Sequence, residues 1–181
     1  MILEKLKKTP SDLVLLIIAA IGIVILLVIN MLVFEPLANS GSIYGILNFE
    51  FAWTQDRILF IFADWGVDGI ALQVNGVYWD FLYIIGYSVP MFALILLFTR
   101  KLSGKIVDIG LYISLTPFVA GIFDLVENIN LLIMLYNSPI FASFVPLVAS
   151  ISALIKFSLL LVGAIFFLVV LALTLIKRFK K

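Results

Sequence analysis

Four acids and one lysine stand inside sequence that is otherwise strongly apolar. Asp124, Glu127 and Asn128 lie within "PFVAGIFDLVENINLLIMLY", residues 117–136. Asp80 opens "DFLYIIGY", Lys156 sits in "IKFSLL", and Glu50 in "NFEFAWT". Such groups are costly to move into hydrocarbon, so inside an apolar run they mark positions that face one another or a cavity. Their chemistry is that of carboxyl groups: holding a cation, carrying protons, or acting as a general acid. The spacing assigns reactive roles to Asp124, Glu127 and Asp80. Ligand contacts fall to Glu50, Asn128, Lys156, Tyr83, Tyr87 and Trp53. Lys156 would keep one acid ionised, the tyrosines would donate hydrogen bonds, and Trp53 shares a predicted helical face with Glu50. On this reading Asp124→Asn abolishes binding and leaves the fold intact.

Other chemistries are excluded by composition. The chain has no cysteine and no histidine. Thiolate nucleophiles, disulfides and histidine acid–base catalysis are therefore absent, and neither haem nor a typical zinc site is expected. No metal, no cofactor and no nucleic-acid partner is expected. The expected partners are the lipid bilayer and an amphiphilic or cationic small molecule.

The elements that must position these groups are membrane helices. Of 181 residues, 64% are hydrophobic and the mean hydropathy is +1.25, against about 45–50% apolar residues in soluble domains. The predicted fold is an all-α membrane protein, a four-transmembrane-helix bundle forming one domain over residues 1–181. Runs near 13–34, 79–99, 109–136 and 147–176 reach the length of about 20 residues that a crossing needs. Before the first, Thr9 is a candidate cap, Pro10 suits the first turn and Asp12 favours the positive helix end. The opening "MILEKLKK" before an apolar run resembles a signal peptide. The run that follows, about 22 residues, is too long for the apolar region of one.

Charge placement predicts orientation. Lys5, Lys7, Lys8, Arg100, Lys101, Lys105, Lys177, Arg178, Lys180 and Lys181 flank the same ends of the spans, leaving only Arg57 and Lys156 of the twelve Lys and Arg elsewhere. Both termini are therefore expected in the cytoplasm. The outer loop, residues 35–78, is acidic, and about 48–65 is predicted to form an interfacial or re-entrant helix with Glu50, Trp53, Thr54 and Arg57 on one face. Packing of that helix across the top of the bundle is the alternative. Trp53, Trp65 and Trp79 are expected near the outer interface.

Counting from the charged flanks brings the polar groups to one depth. Asp80 is measured back from Arg100, Asp124 and Glu127 on from Asp108, Lys156 back from Lys177, and Asn30 on from Asp12. The separations are all about 16–21 residues, which at about 1.5 Å per residue is roughly 24–32 Å from the inner ends. That is a layer in the outer third built by every span. Asp80, Tyr83, Tyr87 and Pro90 share one stripe, and Pro117, Gly121, Asp124 and Asn128 another. Lys156 stands one turn from Ser152 and two from Gly163, where small residues permit close approach. Asn128 and Asn130 are candidates for hydrogen bonds between helices.

The set "NFEFAWT", "WDFLYIIGY", "PFVAGIFDLVENINLL" and "IKFSLL" resembles an uncharacterised prokaryotic family of small four-span membrane proteins. The matching positions are Glu50, Asp80 with Tyr87, Asp124-Glu127-Asn128 and Lys156, within about residues 46–160. That family has no assigned activity; the resemblance implies a prokaryotic plasma membrane and no function. The layout of four spans, a structured outer loop, cytoplasmic termini and acids in a cavity also resembles the EXPERA group of sterol isomerases and the sigma-2 receptor. There, carboxylates stabilise a cationic ligand or a carbocation-like state. The histidine those isomerases present is missing.

Three readings stay open from sequence. The layer binds or acts on a small amphiphile or lipid; or it belongs to a proton- or cation-coupled transporter or oligomeric channel; or it is a structural strut in an assembly partner. A pocket open towards lipid near Asp80 favours the first, a polar path continuing inward the second, and a cavity-free layer with every acid paired the third.

Overall fold

The computed structural model describes residues 2–39 and 42–179; Lys180 and Lys181, counted above with the basic flanks, lie outside the described residues. Its regular structure is helical, with no strand among the described residues. Helix α1 (Ile2–Leu6) leads into α2 (Asp12–Ile29), which continues through a π-helical turn at Asn30–Phe34 into α3 (Glu35–Ala38). Then come α4 (Ile46–Glu50), α5 (Gln55–Thr99), α6 (Lys105–Ile113), α7 (Thr116–Tyr136) and α8 (Val145–Phe179). Four stretches are long and apolar enough to cross a membrane: Asp12–Ala38, Gln55–Thr99, Lys105–Tyr136 and Val145–Phe179. They are numbered spans one to four below.

Several boundaries differ from the predicted ones for local reasons. Ser11, not Thr9, caps α2, its Oγ accepting from the Val14 amide at 3.3 Å. Thr9 instead donates to the Lys5 carbonyl and closes α1. The outer-loop helix predicted for 48–65 is broken: α4 ends at Glu50, Trp53 adopts a positive φ of 63°, and Thr54 caps α5 by accepting from the Arg57 amide. The common face of Glu50, Trp53, Thr54 and Arg57 therefore does not form. Helix α5 then bends at Gly66, where φ is 60° and ψ is −173°. That conformation is open to glycine alone. Beyond it residues 67–99 run as one helix, so the second long helix starts well before the expected residue 79.

Two apolar clusters bracket the polar residues. One gathers Phe49, Ile58, Ile61, Phe62, Trp65, Val77, Leu131, Met134 and Ala149; the other gathers Leu15, Ala19, Phe92, Ala93, Leu96, Leu97 and Leu111. Trp65, expected at the interface, is buried in the first and donates its indole N–H to the Tyr44 carbonyl at 2.6 Å. Trp53 and Trp79 remain exposed on the surface. At the end of the second cluster, Arg100 donates to the carbonyls of Leu6, Thr9 and Pro10 at 2.6–2.7 Å, and both Arg100 and Lys101 pair with Asp12. This basic end fastens the N-terminal segment to the end of α5.

Span one packs almost entirely on span two, whereas spans two, three and four pack on one another. Gly22 and Gly86 make the first contact possible. A Cβ on Gly22 would stand 2.4 Å from Pro90 Cγ, and one on Gly86 would stand 3.2 Å from the Leu26 amide nitrogen. With span one absent from the other interfaces, a seam is left between its C-terminal half and span four.

Candidate functional site

Lys156 is the hub. Its Nζ lies 2.7 Å from Glu127 Oε2, 3.0 Å from Asp124 Oδ1 and 3.7 Å from Glu50 Oε1. All four side chains are buried, Glu127 completely. Helix α7 presents Asp124, Glu127 and Asn128 on one side because they fall at i, i+3 and i+4. Gly121, one turn earlier, lets span two come close: a Cβ there would stand 2.9 Å from Ile84 Cγ2. Gly163 does the same below Lys156, opposite Met91.

Span two supplies the second group. Tyr87 donates its hydroxyl to Asp124 Oδ2 at 2.8 Å, so both Asp124 oxygens are occupied. Asp80 Oδ2 accepts from Asn128 Nδ2 at 2.7 Å. Tyr83 accepts from Asn30 Nδ2 at 3.2 Å, and its ring packs edge-on against Phe34 and Tyr87. Asn30 opens the π-helical turn of span one and also donates to the Leu26 carbonyl. Residues from all four spans thus meet.

Glu50 enters from α4, whose end is held on span four. Ser150 Oγ donates to the Glu50 carbonyl at 2.7 Å and accepts from the Trp53 amide at 3.0 Å. The positive φ of Trp53 turns the chain so that both contacts form on one hydroxyl. Burial pushes the Glu50 carboxyl above the ordinary value of 4.5, against the pull of Lys156. Glu50 Oε2 and Glu127 Oε1 are buried with no hydrogen-bond partner.

A cavity of about 720 Å³ opens beside this cluster. Asp80, Tyr83, Tyr87, Asp124, Asn128, Glu50 and Lys156 form its polar floor and flank. Its apolar wall comes from Phe34, Leu37 and Ala38 of span one, Ile46 and Leu47 of α4, and Phe157 and Leu160 of span four. Residues of spans one and four line it together, so it lies along the seam between them. Lys156 occupies the space between three carboxyls, and no group of three or more acids among the described residues is arranged to hold a metal ion.

Not every residue singled out from sequence reaches the cavity. Trp53 does not line it; its backbone braces α4 while its side chain is exposed. Glu127 lies behind Lys156 rather than on the cavity wall. Asn130 bonds the Val126 carbonyl of its own helix and reaches no other helix. Arg57 stacks over the Tyr44 ring at 4.5 Å and forms no ion pair with the acids. Sequence reasoning passed over Ser150 and Gln73. Gln73 lies two turns before Asp80 on the same helical face, a signal hidden while residues 66–78 are read as loop.

Asp80 differs from the other acids. Lys156 is the only Lys or Arg within ion-pair distance of the cluster among the described residues, and it reaches Glu50, Asp124 and Glu127 but not Asp80. Asp80 therefore presents a carboxyl to the cavity with an amide, not a cation, beside it. No protein-family model matches the chain, and neither does any curated protein or solved structure.

Proposed function

We propose that this chain is a four-span bundle in the membrane whose cavity binds a small amphiphile with a cationic head. In this reading both termini are cytoplasmic, α4 and the first part of α5 cap the outer end, and the ligand enters sideways along the seam between spans one and four. The head sits at Asp80 and the tail lies on Phe34, Leu37, Phe157 and Leu160.

The observation that carries the reading is the imbalance of charge around an open space. Four carboxyls share one ammonium, and the acid that ammonium does not reach is one that faces the cavity. Asp80 is partly buried, and a carboxylate drawn out of water with no counter-charge beside it favours uptake of a cation. The cavity falls within the range of about 300–1,000 Å³ usual for small-ligand sites, and its mixture of apolar wall and few polar groups is the usual composition. The same ligand class is what the layout likeness to the EXPERA group implies. No reaction is assigned to the acids.

Transport through a single bundle has less support. Below the site, Phe92, Ala93, Leu96 and Leu97 pack into the second apolar cluster. The buried polar side chains there, among the described residues, are Ser88, Thr99 and Ser114, and both serines donate to carbonyls of their own helices.

The test is calorimetric titration of the protein in nanodiscs with octylamine, octanoate and 1-octanol, each corrected for partitioning into empty nanodiscs. Saturable binding of octylamine alone, weakened at least about tenfold by Asp80→Asn, is expected for a charge-assisted contact. Equal binding of octylamine and octanoate, or an Asp80→Asn variant that binds like the wild type, rejects it.

A further inference from the structure

Gln73 is 4% exposed and lines the same cavity, yet its Oε1 has no hydrogen-bond partner. Folded proteins rarely leave a buried amide oxygen unsatisfied without a reason. The residue stands on the cavity face of α5, seven positions before Asp80. That spacing places the two side chains two turns, or about 10 Å, apart along the helix. Between them lie Gly76 and Val77, also on the wall. The missing Cβ of Gly76 admits Leu37 of span one, whose Cδ2 would otherwise stand 2.8 Å away. The space between Gln73 and Asp80 is therefore bounded by apolar groups, with a free acceptor at one end and a carboxyl without a cation at the other.

We infer that Gln73 is a second polar subsite, and that the ligand is two-ended: a cationic group for Asp80 and a hydroxyl or N–H donor for Gln73, joined by an apolar stretch matching the helical rise between them, about 10 Å. This rests on the reading of the cavity as a site for cationic amphiphiles and narrows it. A single-headed amine fills only one end. A two-ended molecule satisfies both and threads its carbon chain along Val77 and Leu37.

The experiment compares octylamine with 8-amino-1-octanol, whose extended chain is of that length, on the wild type, Gln73→Leu and Gln73→Met in nanodiscs. The amino alcohol is expected to bind the wild type about fivefold more tightly than octylamine, the gain of one neutral hydrogen bond to an orphan acceptor. Either Gln73 variant should erase that preference and leave octylamine within about twofold of its wild-type affinity. The pair 4-amino-1-butanol and butylamine, too short to span the subsites, should show no preference. A wild type that binds octylamine, loses it on Asp80→Asn and shows no preference for the hydroxyl overturns the Gln73 inference alone. So does a preference that survives in a folded Gln73 variant, or one shown equally by the short pair. A wild type that binds neither amine overturns both this inference and the reading beneath it.

Discussion

Lys156 Nζ lies 2.7 Å from Glu127 Oε2, and the Glu127 side chain has no exposure to solvent. One ammonium thereby holds together α7, α8 and, through Glu50, the end of α4. Removing one partner of a buried ion pair leaves the other charge uncompensated. Lys156→Met should thus destabilise the protein by about 3–5 kcal/mol. Adding Glu127→Gln to that variant should restore part of the loss. Thermal unfolding in detergent, followed by size-exclusion profile, reads both; a Lys156→Met variant as stable as the wild type contradicts the assignment of Lys156 as hub.

Asp124 and Asp80 should separate stability from binding. Asp124 accepts from Lys156 and Tyr87. Asp124→Asn turns an amide N–H₂ towards a donor and should lower stability by about 1–3 kcal/mol. Asn at position 80 can still accept from Asn128, the present donor to Asp80. Asp80→Asn should therefore change stability by less than about 1 kcal/mol while removing octylamine binding. The sequence alone favours Asp124→Asn as the clean binding variant; the hydrogen bonds reverse that choice. The same unfolding measurement beside titration decides it, and equal losses of stability in the two variants would count against the distinction.

Glu50 carries a pH dependence of defined sign. Its folded-state carboxyl is raised above 4.5 by burial. In the window that begins near 4.5, the folded chain keeps a proton that the unfolded chain releases, so the Glu50 contribution makes stability fall as pH rises. Glu50→Gln removes that contribution. Melting temperatures taken from about pH 4 to about pH 8 should decline less steeply for Glu50→Gln than for the wild type. Parallel profiles would show that the Glu50 carboxyl titrates alike in both states.

Gly66 and Gly45 test the path of the chain from α4 into α5. Gly66 holds φ 60° and ψ −173°, and no atom stands within 4 Å of a Cβ added there. Gly66→Ala should still destabilise by about 1–3 kcal/mol, from backbone strain alone. Gly45 has an ordinary φ of −88° and equally open surroundings, so Gly45→Ala carries no backbone strain and should cost at most about 1 kcal/mol, from the poorer N-cap that alanine gives α4. Indistinguishable melting temperatures for the two variants would remove the bend at Gly66.

The sequence by itself determined that four apolar helices form and that Asn30, Asp80, Asp124, Glu127 and Lys156 occur at similar distances from the charged flanks. Composition and run length decide the first, and the fixed rise of a helix converts residue counts into the second. It also decided which side of each helix is polar, since Pro117, Gly121, Asp124 and Asn128 are all buried on one stripe of α7. Tertiary structure decided how the groups share partners. Nothing in the spacing of Asp80, Asp124 and Glu127 tells which acids Lys156 reaches, because that depends on how α5, α7 and α8 rotate and cross. Periodicity also missed the breaks at Trp53 and Gly66. One residue with positive φ redirects a whole segment, and the apolar pattern runs through it unchanged. Those two turns put Glu50 over Lys156, whereas the seven-residue spacing within the helix beyond Gly66 is what sets Gln73 on the same face as Asp80.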